Sequence, residues 1–241
     1  MFTKRDIFKL CVAAVLLLST VMAVAQNETD WGCILRAEYQ VNISKPLNLP
    51  IRNDKLDIMV KEDLRFENNM SRYSRSKTTL GVDYKFTRLG IKLGAGFEYI
   101  NRYTNKFIYR NRYRYFFNLS YEYAYRNWEF GFRTRFITMY NDEARGYYNY
   151  KAHYYWRNKL EVAYRLPNSR FKYSLSGEMY TEINKDRDLQ LNTMMYEGSV
   201  DYRLTRRQYL SFFVRDYKEV FIESDQIRTV YFGIGWKLKH F

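Results

Sequence analysis

From Trp31 onward, the sequence alternates apolar and polar residues over one long stretch after another. The longest stretch places an apolar or aromatic residue at every second position, at Tyr113, Tyr115, Phe117, Leu119, Tyr121, Tyr123 and Tyr125. Successive side chains of a β-strand point to opposite faces, so a period of two predicts strands with one apolar and one polar face. Eleven such stretches are clear, and most of them are about ten to eighteen residues long.

Two architectures use strands of this kind, the soluble β-sandwich and the transmembrane β-barrel. Ordinary strands average about five to six residues, whereas a tilted strand needs about 9 to 11 residues to cross a bilayer. The apolar faces are rich in Tyr, Trp and Phe, as in the aromatic girdles of outer-membrane barrels. The opposite faces carry Arg, Lys, Asp and Glu, which a dry core would exclude. The sequence therefore predicts an all-β fold, a single antiparallel transmembrane β-barrel with a polar interior.

The connections between the predicted strands alternate between short and long. Short turns are expected at 87–89, 126–127, 167–169 and 205–207. Longer connections are expected at 68–75, 102–107, 141–151, 184–191 and 220–226. Because short turns face the periplasm and long loops face outward in outer-membrane barrels, this order predicts ten strands from Leu56 to the end, beginning and finishing in the periplasm.

The total number of strands also depends on the residues before Leu56. The stretch that begins at Trp31 adds one more, but single-chain bacterial barrels have even numbers of strands. A short further strand is possible at Leu47, Leu49 and Ile51, although two prolines in this segment each remove a donor from the ladder. We predict twelve strands, with ten as the alternative.

Residues 1–25 have the three parts of a secretory signal peptide. Three basic residues lie within the first nine positions, an apolar run occupies 10–25, and Ala23-Val24-Ala25 supplies small residues for cleavage. The run is too short for a transmembrane helix, which needs about 20 residues. We predict a signal peptide over 1–25, a barrel over 26–241, and export to the bacterial outer membrane.

The charge balance first suggests nucleic-acid binding. The chain has 40 Lys and Arg against 26 Asp and Glu, a formal net charge of +14. An exported protein has little access to nucleic acid, so we expect no such partner. The 2 cysteines exclude a disulfide scaffold and a multi-cysteine zinc site, and we expect neither a metal nor another cofactor.

The predicted inward face carries a basic wall on three neighbouring strands. Its members are Arg110, Arg112, Arg114, Arg133, Arg135, Arg157 and Lys159. Acidic residues follow on later strands, at Glu178, Glu182, Glu197 and Asp201. If the turn at Pro167 pairs Arg165 with Arg170, then Arg157 lies opposite Glu178, where opposite charges attract.

This interior has two functional interpretations. A basic constriction lowers the barrier to anions, which predicts a narrow, anion-preferring pore for small or acidic solutes. Alternatively, the Arg and Glu side chains neutralise each other and fill a closed structural or interaction barrel. Ten strands favour the closed interior, and twelve strands make a small pore possible.

An outer-membrane hydrolase is the third and least favoured interpretation. Such an enzyme needs a histidine beside a serine or an acid at the rim of the barrel. His153 is predicted near the outer rim without an adjacent serine, and Asp142 and Glu143 precede it in the predicted loop. His240 lies one residue from the C-terminus. We therefore expect no enzyme and no catalytic residues.

Several short motifs, in order along the chain, resemble a family of short bacterial outer-membrane barrels known only as a domain of unknown function. They are Trp31, Glu62-x-x-Arg65, Arg133-x-Arg135, Arg157-Asn158-Lys159-Leu160, Glu178-Met179-Tyr180 and the terminal Phe241. The resemblance implies the fold and the location, with no settled activity. A C-terminal aromatic residue is also usual in barrels inserted by the outer-membrane assembly machinery, so we expect that machinery and outer-membrane lipids as partners.

Overall fold

The computed structural model describes residues 29–44, 54–103, 109–141, 152–183, 190–219 and 228–240. These ranges form eleven β-strands: β1 (Thr29–Asn42), β2 (Lys55–Glu67), β3 (Arg72–Phe86), β4 (Ile91–Tyr103), β5 (Tyr109–Tyr125), β6 (Trp128–Asn141), β7 (Ala152–Arg165), β8 (Phe171–Ile183), β9 (Gln190–Arg203), β10 (Gln208–Glu219) and β11 (Arg228–His240). No helix in these ranges is long and apolar enough to cross a membrane. The predicted signal peptide, the short strand at 47–51, the loop acids Asp142 and Glu143, and Phe241 lie outside the described residues.

The strands form one closed barrel. Each strand pairs antiparallel with its neighbours in chain order, and β1 pairs with β11 to complete the ring. Because every hairpin reverses the direction of the chain, the first and eleventh strands run the same way and pair in parallel, from Thr29 opposite Arg228 to Val41 opposite His240. The all-β barrel is confirmed. The expected twelve strands are not, because one parallel pair accommodates an odd number among the described strands.

The barrel has two mouths with different connections. At the turn mouth, short turns join β3 to β4, β5 to β6, β7 to β8, and β9 to β10. At the loop mouth, β4 to β5, β6 to β7, β8 to β9 and β10 to β11 are connected through residues outside the described ranges. The chain therefore enters β1 at the loop mouth and leaves β11 at the turn mouth.

One predicted long connection is a tight turn. Residues 68–75 were expected to form a loop, but β3 already begins at Arg72. Asn68, Asn69 and Met70 all have positive φ angles, between 53° and 63°, and asparagine tolerates this left-handed region better than most residues. The tight turn leaves Arg75 and Lys77 within β3, so they are strand residues rather than loop residues.

The alternation along each strand separates an outer from an inner surface. On β5, Tyr115 and Tyr123 are 54% and 51% exposed on the outside, whereas Phe116 between them is 6% exposed and points inward. The same alternation places the apolar faces of the other strands outward. The predicted division into an apolar outer face and a charged inner face is therefore confirmed.

Large inward rings occupy space that two glycines leave free. A Cβ atom at Gly233 would lie 2.1 Å from the Phe213 ring, and one at Gly96 would lie 2.4 Å from the Phe116 ring. Any larger residue at either position would displace an aromatic ring that fills the lumen. These glycines therefore serve the packing of the interior.

The parallel closure is tested by cross-linking across the seam. Cys33 on β1 lies opposite Phe232 on β11, and both side chains face outward. We expect Phe232→Cys to join Cys33 through a short bifunctional thiol reagent, because adjacent strands are about 4.8 Å apart. The linked fragments are identified by mass spectrometry after proteolysis.

Leu119→Cys supplies the matched control, because β5 lies far from the seam around the ring. Equal linkage of Cys33 to positions 119 and 232, or linkage to neither, would contradict the parallel closure.

Candidate functional site

All of the predicted lumen residues lie on the inward faces of their strands. The central cavity is lined by Arg114, Arg133, Arg135, Arg157, Lys159, Glu178 and Glu197. Arg112 lines a smaller cavity of about 170 Å³, and Arg110 is exposed. The basic wall is thus brought together, although it extends from the exposed end of β5 into the middle of the barrel.

Glu98 on β4 is the first of three buried carboxylates that organise this interior. It is only 2% exposed and has cations from three strands around it. Its oxygens lie 3.6 Å from Lys77 Nζ, 3.6 Å from Arg114 Nη1 and 3.5 Å from Arg135 Nη1. Because burial of an uncompensated charge costs several kcal/mol, these cations make the burial of Glu98 possible.

Glu178 on β8 is the second buried carboxylate. One oxygen accepts a hydrogen bond from Arg133 (3.0 Å) and the other from Arg157 (2.9 Å). The predicted contact between Arg157 and Glu178 is therefore present. These two residues are nevertheless not directly opposite each other, because Arg157 pairs with Tyr180 and Lys159 pairs with Glu178.

The predicted register of this hairpin was wrong by two residues. Arg165 pairs with Lys172, and the amide of Leu166 donates to the carbonyl of Phe171 (3.2 Å). The centre of the turn therefore lies one residue further along the chain than predicted. A shift of two preserves the face of every side chain. The long Arg157 side chain consequently still reaches Glu178 along the diagonal.

Asp63 on β2 is the third carboxylate and is 0% exposed. Arg36 Nε donates to it at 2.7 Å, and Lys77 and Lys61 lie at 3.3 Å and 3.8 Å. Lys77 lies within ion-pair distance of both Asp63 and Glu98. The charges from β1 to β5 therefore form one network.

Further ion pairs extend the network around the barrel. Arg215 donates to Glu197, and Lys237 donates to Glu38. Glu182 and Asp201, which were predicted as lumen acids, have different partners from the basic wall. Asp201 accepts a hydrogen bond from Ser211 (2.5 Å), and Glu182 contacts His153 as described below.

Apolar side chains occupy part of the inward face between the middle of the barrel and the loop mouth. The buried members are Ile34, Ile100, Phe116, Ile137, Met139, Met195, Phe213 and Tyr231. The inner face near the turn mouth is polar and more open, with a cavity of about 620 Å³ lined by Lys85, Glu122, Glu129 and Lys172 among others. The lumen is therefore asymmetric along the barrel axis.

The central cavity retains an excess of positive charge. Its volume is about 330 Å³, and 13 basic and six acidic side chains line it. The basic side chains therefore outnumber the carboxylates that could neutralise them. This excess agrees with the basic wall that the sequence predicted, but it includes residues of β1, β2 and β3 that the sequence analysis did not assign to the wall.

Sequence reasoning missed Glu98 and Asp63 as the centres of the network. Both occupy inward positions in alternating stretches, so the period of two already placed their side chains in the lumen. What it could not supply was the register that collects cations from other strands around each of them.

His153 lies at the inner face near the loop mouth, where a rim histidine was predicted. Its Nδ1 lies 3.4 Å from Glu182, which also accepts a hydrogen bond from Asn192 (3.0 Å). His240 is exposed at the end of β11. Within the described ranges, no group of three His, Cys, Asp or Glu side chains is placed to hold a metal ion.

The sequence was compared with protein-family models and with curated proteins. No protein-family model matches the sequence, and no curated protein is significantly similar to it.

The network predicts a large cost for removing one of its centres. Glu98→Gln leaves Lys77, Arg114 and Arg135 without their shared carboxylate, and the loss of one partner from a buried ion pair costs about 3–5 kcal/mol. We expect the free energy of unfolding to fall by that amount. Urea titration of the barrel refolded in detergent measures the change.

Glu161→Gln is the matched control, because Glu161 pairs with Lys159 near the open turn mouth and its side chain is 36% exposed. Its loss costs about 1 kcal/mol or less. Equal costs for the two variants would show that Glu98 does not organise the interior.

Proposed function

We propose that the chain is a bacterial outer-membrane β-barrel, exported with a cleaved signal peptide over 1–25, with its turn mouth in the periplasm. The support is the outer surface, where strands of 12 to 17 residues expose apolar side chains. Examples are Leu80, Phe117, Leu160 and Leu175, which are 49–71% exposed. Monomeric soluble proteins rarely expose so large a continuous apolar surface to water.

Aromatic pairs at both ends of the outer surface support the same proposal. Trp128 and Tyr164 lie 4.8 Å apart near the turn mouth. Trp31 stacks on Phe232 at 5.7 Å near the loop mouth. Rings of Trp and Tyr at two levels are typical of barrels whose ends meet the two membrane interfaces. Outer-membrane lipids and the outer-membrane assembly machinery are the partners that this proposal implies.

Charged outward residues are concentrated toward the loop mouth and are paired there. Glu62 accepts a hydrogen bond from Thr78 (2.6 Å), and Arg228 forms two hydrogen bonds with Asp216 (2.9 and 2.8 Å). These pairings reduce the cost of holding polar groups close to a lipid boundary.

We infer that the lumen is closed by its own side chains and that the protein acts as a structural or interaction barrel rather than as an open channel. The observation that carries this inference is the burial of Asp63, Glu98 and Glu178 at 0–3% exposure in the middle of the barrel. Water-filled pores leave such groups hydrated. Here guanidinium and ammonium groups replace the water around these carboxylates, and charged side chains line the remaining space.

A narrow anion-preferring pore is the second candidate function. It is favoured by the 13 basic against six acidic side chains around the central cavity. A modest movement of the long Arg and Lys side chains would connect the cavities, and the passage would then attract small or acidic solutes. A hydrolytic role has weaker support, because the contacts of His153 include no serine among the described residues.

Planar-bilayer recording distinguishes the two leading functions. For a closed barrel we expect no unitary conductance in symmetric KCl, because no continuous aqueous path crosses the charged network. Discrete openings with an anion-selective reversal potential would replace the closed-barrel proposal with the pore. Cation-selective openings would contradict both. Incorporation is verified separately by the heat-modifiable gel mobility of the same preparation.

Thiol labelling of intact cells tests the location and orientation. In a Cys33→Ala background, Met70→Cys lies in the β2–β3 turn at the loop mouth, and Arg206→Cys lies in the β9–β10 turn at the turn mouth. An impermeant maleimide should label position 70 in intact cells and position 206 only after the outer membrane is permeabilised. Labelling in the reverse order would show that the barrel has the opposite orientation. Labelling of neither position after permeabilisation would argue against a location in the outer membrane.

A further inference from the structure

Four arginines lie side by side on four adjacent strands. Arg65 on β2 pairs with Arg75 on β3, Arg75 pairs with Arg102 on β4, and Arg102 pairs with Arg110 on β5. We call these four residues the arginine row. Directly opposite residues in a sheet have Cβ atoms about 4.5–5.5 Å apart, and like charges at that distance repel. The row therefore places four positive charges where they repel one another, and the Arg65 guanidinium also lies 5.6 Å from the centre of the Tyr231 ring.

The acids of the barrel form no direct ion pair with this row. Within the described part of the chain, none of its four guanidinium groups forms an ion pair with a carboxylate, in contrast to the Arg and Lys residues around Glu98. The nearest acid along β2 on one side, Asp63, is shared by Arg36, Lys61 and Lys77. The nearest on the other side, Glu67, accepts a hydrogen bond from the Tyr231 hydroxyl (2.6 Å).

The row leads from the loop mouth into the interior. Arg110 and Arg102 are exposed, whereas Arg75 and Arg65 are partly buried. The two inner arginines both line the central cavity of about 330 Å³. The Nε atoms of both are buried without a hydrogen-bond partner. A buried donor without a partner costs about 1–3 kcal/mol, so a hydrogen-bond acceptor bound beside these two arginines would be stabilised by both of them.

We propose that Arg65 and Arg75 bind a phosphate-type oxyanion, supplied by a soluble phosphate or phosphate monoester that enters along Arg110 and Arg102 from the loop mouth. A guanidinium donates two parallel hydrogen bonds to an oxyanion. A carboxylate has only two oxygens, whereas a phosphate has enough oxygens to accept two hydrogen bonds from each of the two arginines. The side chains face the lumen, so the ligand comes from solution and not from the lipid surface.

This site is independent of whether the barrel conducts. A closed barrel can hold the anion from the loop mouth alone, and a pore can hold it in transit. Binding is therefore measured on purified protein in detergent, where neither the membrane location nor the conductance enters the result.

Isothermal titration with inorganic phosphate at constant ionic strength, balanced with chloride, tests the site. We expect saturable binding with one phosphate per chain, and we expect Arg65→Gln/Arg75→Gln to raise the Kd at least tenfold. Arg206→Gln/Arg207→Gln removes the same two charges at the turn mouth and should leave the Kd unchanged. Absence of binding to the unaltered protein, or an equal loss in both double variants, would overturn the proposal.

A second variant keeps the test decisive if the inner pair is required for folding. Arg102→Gln/Arg110→Gln alters exposed side chains, and removal of charges at the edge of a binding site mainly slows association. We expect the association rate of phosphate, measured from ³¹P NMR line shapes, to fall about threefold or more, with the urea midpoint unchanged. An unchanged association rate would contradict the entry path and the row as a phosphate site.

Discussion

A carboxylate that leaves water must be surrounded by cations, and this requirement governs the interior of the barrel. Asp63, Glu98 and Glu178 are almost completely buried, and each has basic side chains from at least two other strands around it. The pairing therefore ties the strand of each acid to its neighbouring and next-neighbouring strands through side chains. The ring of backbone hydrogen bonds closes the wall, and the buried acids add a second set of contacts along its inner face.

The small circumference of the barrel serves the same requirement. Arg133 and Arg135 on β6 each reach past one strand to an acid, Glu178 on β8 and Glu98 on β4, and a strongly curved wall brings such side chains together on its inner face. A wider ring would leave these charges hydrated and the centre filled with water, as in large porins. Aromatic and aliphatic side chains such as Phe213 and Ile34 occupy the space that charges leave toward the loop mouth. The interior therefore has apolar packing toward the loop mouth, and it is more open and basic toward the turn mouth.

The period of two in the sequence was sufficient to predict the strands, the outward and inward faces, and the lumen residues from Arg110 to Asp201. It was insufficient wherever register or turn geometry decides the outcome. A shift of two residues between β7 and β8 leaves every face unchanged, so alternation could not detect it. Similarly, the left-handed conformations of Asn68 to Met70 turned an expected loop into a tight turn. The arginine row depends on three registers at once and has no signature in any single stretch.

The parallel pairing of β1 with β11 separates the two ends of the described barrel. In a ring with an even number of strands, the first and last strands are antiparallel and their free ends meet at one mouth. Here Thr29 and His240 are at opposite ends of the seam, about 40 Å apart for 13 paired residues. A circular permutant would need a connecting segment as long as another strand. An insertion that adds one strand would make the number of strands even. The first and last strands would then pair antiparallel, and the parallel seam would be lost.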